Sequence, residues 1–176
     1  GFFWWMDKNE EGTTMITAPE GGKVDPNNYT IERYYSMEKI PEEYREYVEE
    51  IGEIKGNLAY TLGYVKVTKN EFNDTLYVYM NNVGDKLRFE IRIYPEEIQR
   101  VRETYPGYTF EREFEDEGIS FDVFSKEESS GEYTYIMYFY YGKEKYIVIG
   151  RNDEDRIQDI VIAYKNVVLS HEGNQQ

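Results

Sequence analysis

One histidine, His171, and no cysteine stand in a chain of 176 residues. With a single histidine in a polar tail, a histidine-based triad or a histidine-ligated metal within one chain is not expected, and a thiol nucleophile, a thiolate zinc site or an iron–sulfur cluster needs cysteine. Any side-chain chemistry therefore falls to the carboxylates, of which there are 35. Paired carboxylates can run glycoside hydrolysis. Glu111, Glu113, Glu115, Asp116 and Glu117 are adjacent, but they read as an exposed strand end and turn. Carboxylates that act as acid and base need apolar surroundings that drive their proton affinities apart, and nothing in the sequence marks out such a pair. Asn152-Asp153-Glu154-Asp155 followed by Asp159 invites a calcium reading. An EF-hand loop counted from Asp153 would want glycine sixth and glutamate twelfth, where Gln158 and Tyr164 stand. Helix capping accounts for the same residues more simply. No GxGxxG, no phosphate-binding glycine loop ending in lysine and no G-x-S-x-G elbow occurs. No catalytic residue, metal ligand or cofactor is assigned.

The other residue type that could form a site is tyrosine, present 19 times. Tyr133, Tyr135 and Tyr141 fall on one face of a predicted hairpin with Tyr146 across from them, and Tyr138 and Tyr140 fall on the other. A rigid aromatic platform of this kind can stack a sugar or hold a peptide. Cross-strand packing inside a sheet explains the same stripe.

The hairpin itself runs from Tyr133 to Gly150, with Gly142-Lys143 as its turn. A two-residue turn pairs Phe139 with Tyr146, Met137 with Val148 and Ile136 with Ile149. Both faces are then apolar, so the ribbon belongs in the interior of a sheet covered on each side. Upstream, residues 29–37 read as an edge strand, and Pro41 opens a helix with Tyr44, Tyr47, Val48 and Ile51 at helical spacing. Gly52 and Gly56 are its candidate stops. Residues 58–68 alternate as a strand whose apolar phase slips at Gly63, which predicts a bulge. Leu76, Val78 and Met80 form the next strand, and residues 81–85 make a turn. Leu87, Phe89, Ile91 and Ile93 alternate with charged residues, a pattern for one buried face. Pro95 ends that strand and is read as opening a short helix carrying Ile98 and Val101. Tyr108, Phe110 and Phe114 are expected on one face of a strand, and Ile119, Phe121 and Val123 on one face of the next, joined at Glu117-Gly118. Residues 126–131 read as a polar loop. Asn152 or Asp153 caps a final helix buried through Ile157, Ile160, Val161 and Tyr164, with a β-branched strand as the competing reading. His171 falls in a polar tail.

These elements predict an α+β fold: a strongly curved antiparallel sheet of about seven strands with an N-terminal and a C-terminal helix. A faint two-fold pattern of hairpin strands followed by a helix is present, without a residue-level repeat. The expected organisation is an aromatic stub and polar linker over residues 1–28, one domain over 29–170 and a flexible tail over 171–176. Phe2, Phe3, Trp4 and Trp5 suggest a cut just after a signal or anchoring helix. The net charge of −15 argues against nucleic acid and anionic membrane surfaces. It leaves a self-repelling surface, a cationic partner or a divalent cation.

Residues 108–167 resemble the C-terminal part of an uncharacterised family found on the outer side of the membrane in Gram-positive bacterial lipoproteins and anti-sigma-factor-like proteins. The resemblance is carried by FEREFE at 110–115, the Glu117-Gly118 turn, ISFDVF at 119–124, a polar loop, the hairpin YIMYFYYGKEKYIVIG at 135–150 and a helix. Ile40-Pro41-Glu42-Glu43-Tyr44 is similar to the family's entry motif. Members carry a tryptophan in the penultimate strand, where this chain has tyrosines and Phe139. The resemblance implies a membrane-tethered extracytoplasmic module and carries over no catalytic residue. The expected function is non-catalytic sensing or interaction with an unknown protein or small ligand, and the membrane is involved only through a removed N-terminal anchor. The alternative is a small apolar ligand in the concavity of the sheet.

Overall fold

The computed structural model describes residues 29–54, 60–82, 85–129 and 131–174. The aromatic stub, the linker, Gly56 and the Val83-Gly84 turn lie outside them. The chain forms β1 (Thr30–Tyr34), a 3-10 turn, α1 (Glu42–Gly52), β2 (Thr61–Lys69), β3 (Asp74–Asn82), β4 (Asp85–Ile93), β5 (Thr109–Asp116), β6 (Ile119–Ser129), β7 (Glu132–Tyr141), β8 (Glu144–Arg151) and α2 (Glu154–Asn174). The strands make one antiparallel sheet in the order β1-β2-β3-β4-β8-β7-β6-β5. Two four-stranded meanders thus meet at their last strands, β4 against β8. Their helices do not repeat: α1 falls between β1 and β2, whereas α2 follows β8.

There are eight strands, not about seven, and the sheet is not strongly curled. The glycines expected to bend it act locally. Gly63 marks a bulge between Leu62 and Tyr64, while Gly118 and Gly142 adopt positive φ in tight turns. The predicted register of the β7–β8 hairpin holds at each of its three pairs.

Both helices pack on one face, over Val65, Val78, Phe89, Phe121, Phe139 and Val148. On α2, Ile157, Ile160, Val161 and Tyr164 are all buried, each fully buried aliphatic side chain contributing about 1.5–3 kcal/mol. Helix wins over strand here because the β-branched residues fall on a face with its core partner already in place. Asp153 Oδ1 accepts the Arg156 N–H at 3.2 Å and caps the first turn. The helix does not fray at Ser170: it continues through His171 to Asn174.

The opposite face differs most from expectation. Residues 95–108 form no helix and cross the sheet as an irregular strap. Its backbone is spent on tertiary bonds, Ile98 N–H to Gly142 O at 3.3 Å and Glu103 N–H to Tyr138 Oη at 3.1 Å, which overrides helix propensity. Arg88, Glu90 and Arg92 of β4, read as a solvent face, therefore lie partly or fully buried. Phe110 and Phe114 occupy opposite faces, because a bulge at Glu111 shifts the register of β5 against β6. Phe114 stacks on Phe121 on the helix side, and the exposed Phe110 meets the edge of Phe124 on the strap side. Residues 126–129, read as loop, extend β6, and Asn81, Asn82 and Asp85 pair within the β3–β4 ladder.

Candidate functional site

Two groupings of polar side chains among the described residues are candidate sites. Under the strap, Glu103 accepts from Arg92 at 3.0 Å and from Lys145 at 2.8 Å. Lys145 Nζ also donates to Tyr105 Oη at 2.9 Å and lies 3.9 Å from the centre of the Tyr138 ring. Tyr138 Oη donates to Asp122 Oδ2 at 2.7 Å, and Arg100 reaches Asp122 Oδ1 at 2.5 Å. Burial and the neighbouring Arg92 guanidinium push the Lys145 ammonium down to about 7, with Glu103 pulling against them. Burial would raise the Glu103 carboxyl, but Arg92 and Lys145 outweigh it and hold it below its ordinary value. A near-neutral lysine beside a tyrosine is a familiar acid–base pairing. Here Lys145 and Asp122 are enclosed and paired, while Arg92, Glu103 and Arg100 keep part of their side chains exposed.

The second grouping surrounds a hollow of about 450 Å³ bounded by α1, α2 and the β7–β8 turn. Four carboxylates line it, Glu46, Glu50, Glu97 and Glu144, with Lys143 as the basic lining residue. The sequence explains the convergence. Glu46 and Glu50 are one helical turn apart on α1, so they share a face, and Glu144 opens β8 directly after the Gly142-Lys143 turn. Tyr47 Oη donates to Glu144 Oε1 at 2.8 Å. Above these, on α2, His171 turns Nδ1 toward Glu46 Oε1 at 3.8 Å and Glu50 Oε2 at 3.7 Å, while Nε2 is hydrogen-bonded to Glu53.

Glu50 is only 5% exposed. Its burial pushes the carboxyl up to about 7, the His171 charge working in the opposite direction. For His171, burial disfavours the cation, but the Glu53 hydrogen bond and the charges of Glu50, Glu53 and Glu46 outweigh it and raise its pKa. Burial also raises the Tyr47 and Tyr146 hydroxyls well above their ordinary value, so both stay protonated donors.

The six tyrosines singled out from sequence divide as their hairpin faces require. Tyr138 and Tyr146 are buried, at 0% and 3% exposure. Tyr135 and Tyr141 pack partly buried beside the helix-side core, and Tyr140 against the strap-side cluster. Tyr133 is the exposed member, at 38%, stacked on Tyr135. Tyr141 and Tyr146 also line the acidic hollow. Of the carboxylates on β5, Glu113 pairs with Arg100 and Arg102, Asp116 with Lys165, and Glu111 with Ser125. Sequence reasoning missed the grouping of Glu46, Glu50 and His171, because they are more than 120 residues apart and His171 was placed in a tail. The available signal was the stripe Tyr164, Val168, His171 at helical spacing. No helix among the described residues is long and apolar enough to cross a membrane. No family model, curated protein or solved structure matches this chain.

Proposed function

We propose that this domain is a non-catalytic sensing or interaction module of a membrane-tethered, extracytoplasmic bacterial protein, and that it receives a cationic partner at the acidic hollow. The observation that carries the reading is the meeting of Glu46, Glu50, Glu97 and Glu144 around one cavity in a chain of strongly negative charge. A field of one sign focused in a cleft raises the local concentration of oppositely charged ligands. The aromatic N-terminal residues and the family resemblance support the extracytoplasmic placement. The apolar-ligand alternative draws no support from the helix-bearing face, which is filled by Phe89, Phe139, Tyr146 and Tyr164 packed ring against ring.

The binding half is tested by titrating a short oligo-arginine peptide. Its affinity is expected to fall steeply with added salt and to weaken several-fold in a Glu97→Gln, Glu144→Gln double variant. Equal affinity for that variant and the parent rules the hollow out. The placement half is tested by fusing the full-length gene product at its C-terminus to a reporter active only after export. An inactive reporter on a stable fusion rejects it.

A further inference from the structure

We propose that Glu46, Glu50 and His171 form a binding site for one divalent transition-metal ion of the zinc class. One ligand atom from each lies within 4.8 Å of the others. The two imidazole-to-carboxylate separations, 3.8 and 3.7 Å, are too long for hydrogen bonds. They are close to the roughly 3.4 Å that separates two nitrogen or oxygen ligands about 2.1 Å from a tetrahedral zinc. Small side-chain torsions close the remaining difference. The donor set also selects the ion. Imidazole with carboxylates suits zinc and its first-row neighbours, whereas magnesium and calcium prefer all-oxygen shells.

Two observations separate this from an incidental acidic cluster. Glu50 is more than nine-tenths buried and accepts no hydrogen bond among the described residues, and the charges acting on it are His171, beyond bonding distance, and the like-charged Glu46, Glu144 and Glu53. A buried carboxylate without a donor is costly unless something cationic satisfies it. Behind it, the fully buried Tyr164 hydroxyl has no hydrogen-bond partner among the described residues and lies within electrostatic reach of Glu50, Tyr47 and Glu144. The histidine is also oriented as a metal ligand is. Nε2–H donated to Glu53 leaves Nδ1 as the ring atom that faces Glu46 and Glu50, the carboxylate–histidine–metal arrangement in which an incoming ion displaces the Nδ1 proton. Three protein ligands leave the fourth position of a tetrahedral ion for solvent. The site shares Glu46 and Glu50 with the hollow of the partner reading, and the two are told apart by Glu97 and Glu144, which line the hollow without being ligands.

The test is calorimetric titration of the whole chain with zinc chloride near neutral pH. Saturable uptake of one ion per chain is expected, undisturbed by excess magnesium. Binding should weaken by about tenfold or more in His171→Gln and in Glu50→Gln, and roughly 10–100-fold in Glu53→Gln. Because His171 is the only imidazole in the chain, nitrogen NMR of the unaltered protein gives a second readout that survives any misfolded variant. Zinc should move the Nδ1 resonance and leave the proton on Nε2. Uptake unchanged by His171→Gln, displacement by comparable magnesium, or an unmoved Nδ1 resonance each overturns the proposal.

Discussion

Lys145 is the side chain whose environment most alters its chemistry. Its folded pKa lies near 7, against about 10.4 in an unfolded chain. Between those values the unfolded chain binds a proton that the folded chain does not, so stability should rise with pH across the window, by up to about 1.4 kcal/mol per unit. Denaturant titrations at successive pH values from 7 to 9.5 check this, and Lys145→Met should flatten the dependence. Above that range the buried tyrosines begin to oppose it, since their pKa values are raised and their contribution is lost as pH climbs. Glu103 supplies the complementary case. Glu103→Gln leaves Arg92 and Lys145 without the carboxylate bonded to both, with Glu90 still acting on them, at a cost of about 3 kcal/mol. The loss should be larger at pH 6, where Lys145 is charged, than at pH 9. At Gly150 the constraint is steric: a Cβ would lie 2.9 Å from Ile157 Cδ1 and 3.1 Å from Leu87 Cδ1. Gly150→Ala should push α2 off the sheet and cost roughly 1–3 kcal/mol, read as a lowered denaturation midpoint.

At the level of elements, the sequence was most legible where a local pattern and its neighbours agreed. The Gly142-Lys143 turn sets the β7–β8 register without outside help, and the stripe from Ile157 to Tyr164 names its own buried face. The Gly63 bulge could be read because apolar residues changed phase within one strand. The Glu111 bulge could not, since Phe110 and Phe114 keep a uniform apolar spacing while Phe114 packs on the helix-side core and Phe110 stays exposed at the edge of Phe124 on the other face. The strap failed for a related reason. Residues 96–104 carry a helix-like pattern, but Arg100 and Glu103 are drawn to charged partners that only the assembled sheet presents. The Glu46–Glu50–His171 grouping was illegible because it requires α1 and α2 to lie side by side. Asp153→Ala, which removes the α2 cap, should cost about 1 kcal/mol in equilibrium unfolding. It should also loosen the start of the helix while leaving the hollow at its far end unchanged.

For the whole molecule, 35 acidic against 20 basic residues set a self-repelling surface. Added sodium chloride should raise the melting temperature as it screens that repulsion, while weakening any cationic partner. A melting temperature that is flat or falls with salt contradicts the first expectation. The two-meander plan has a further consequence for how the protein comes to be made. All but two of the strand pairings join near neighbours along the chain, but β4 waits for β8, with partners between 51 (Ile93 to Glu144) and 63 (Leu87 to Gly150) positions apart. While the ribosome is still threading out the second half, the first leaves an apolar border, Leu87, Phe89 and Ile91, with unmet amide and carbonyl groups. That border is a template for self-association between nascent copies, so truncation before β8 should yield insoluble aggregates in place of a stable half.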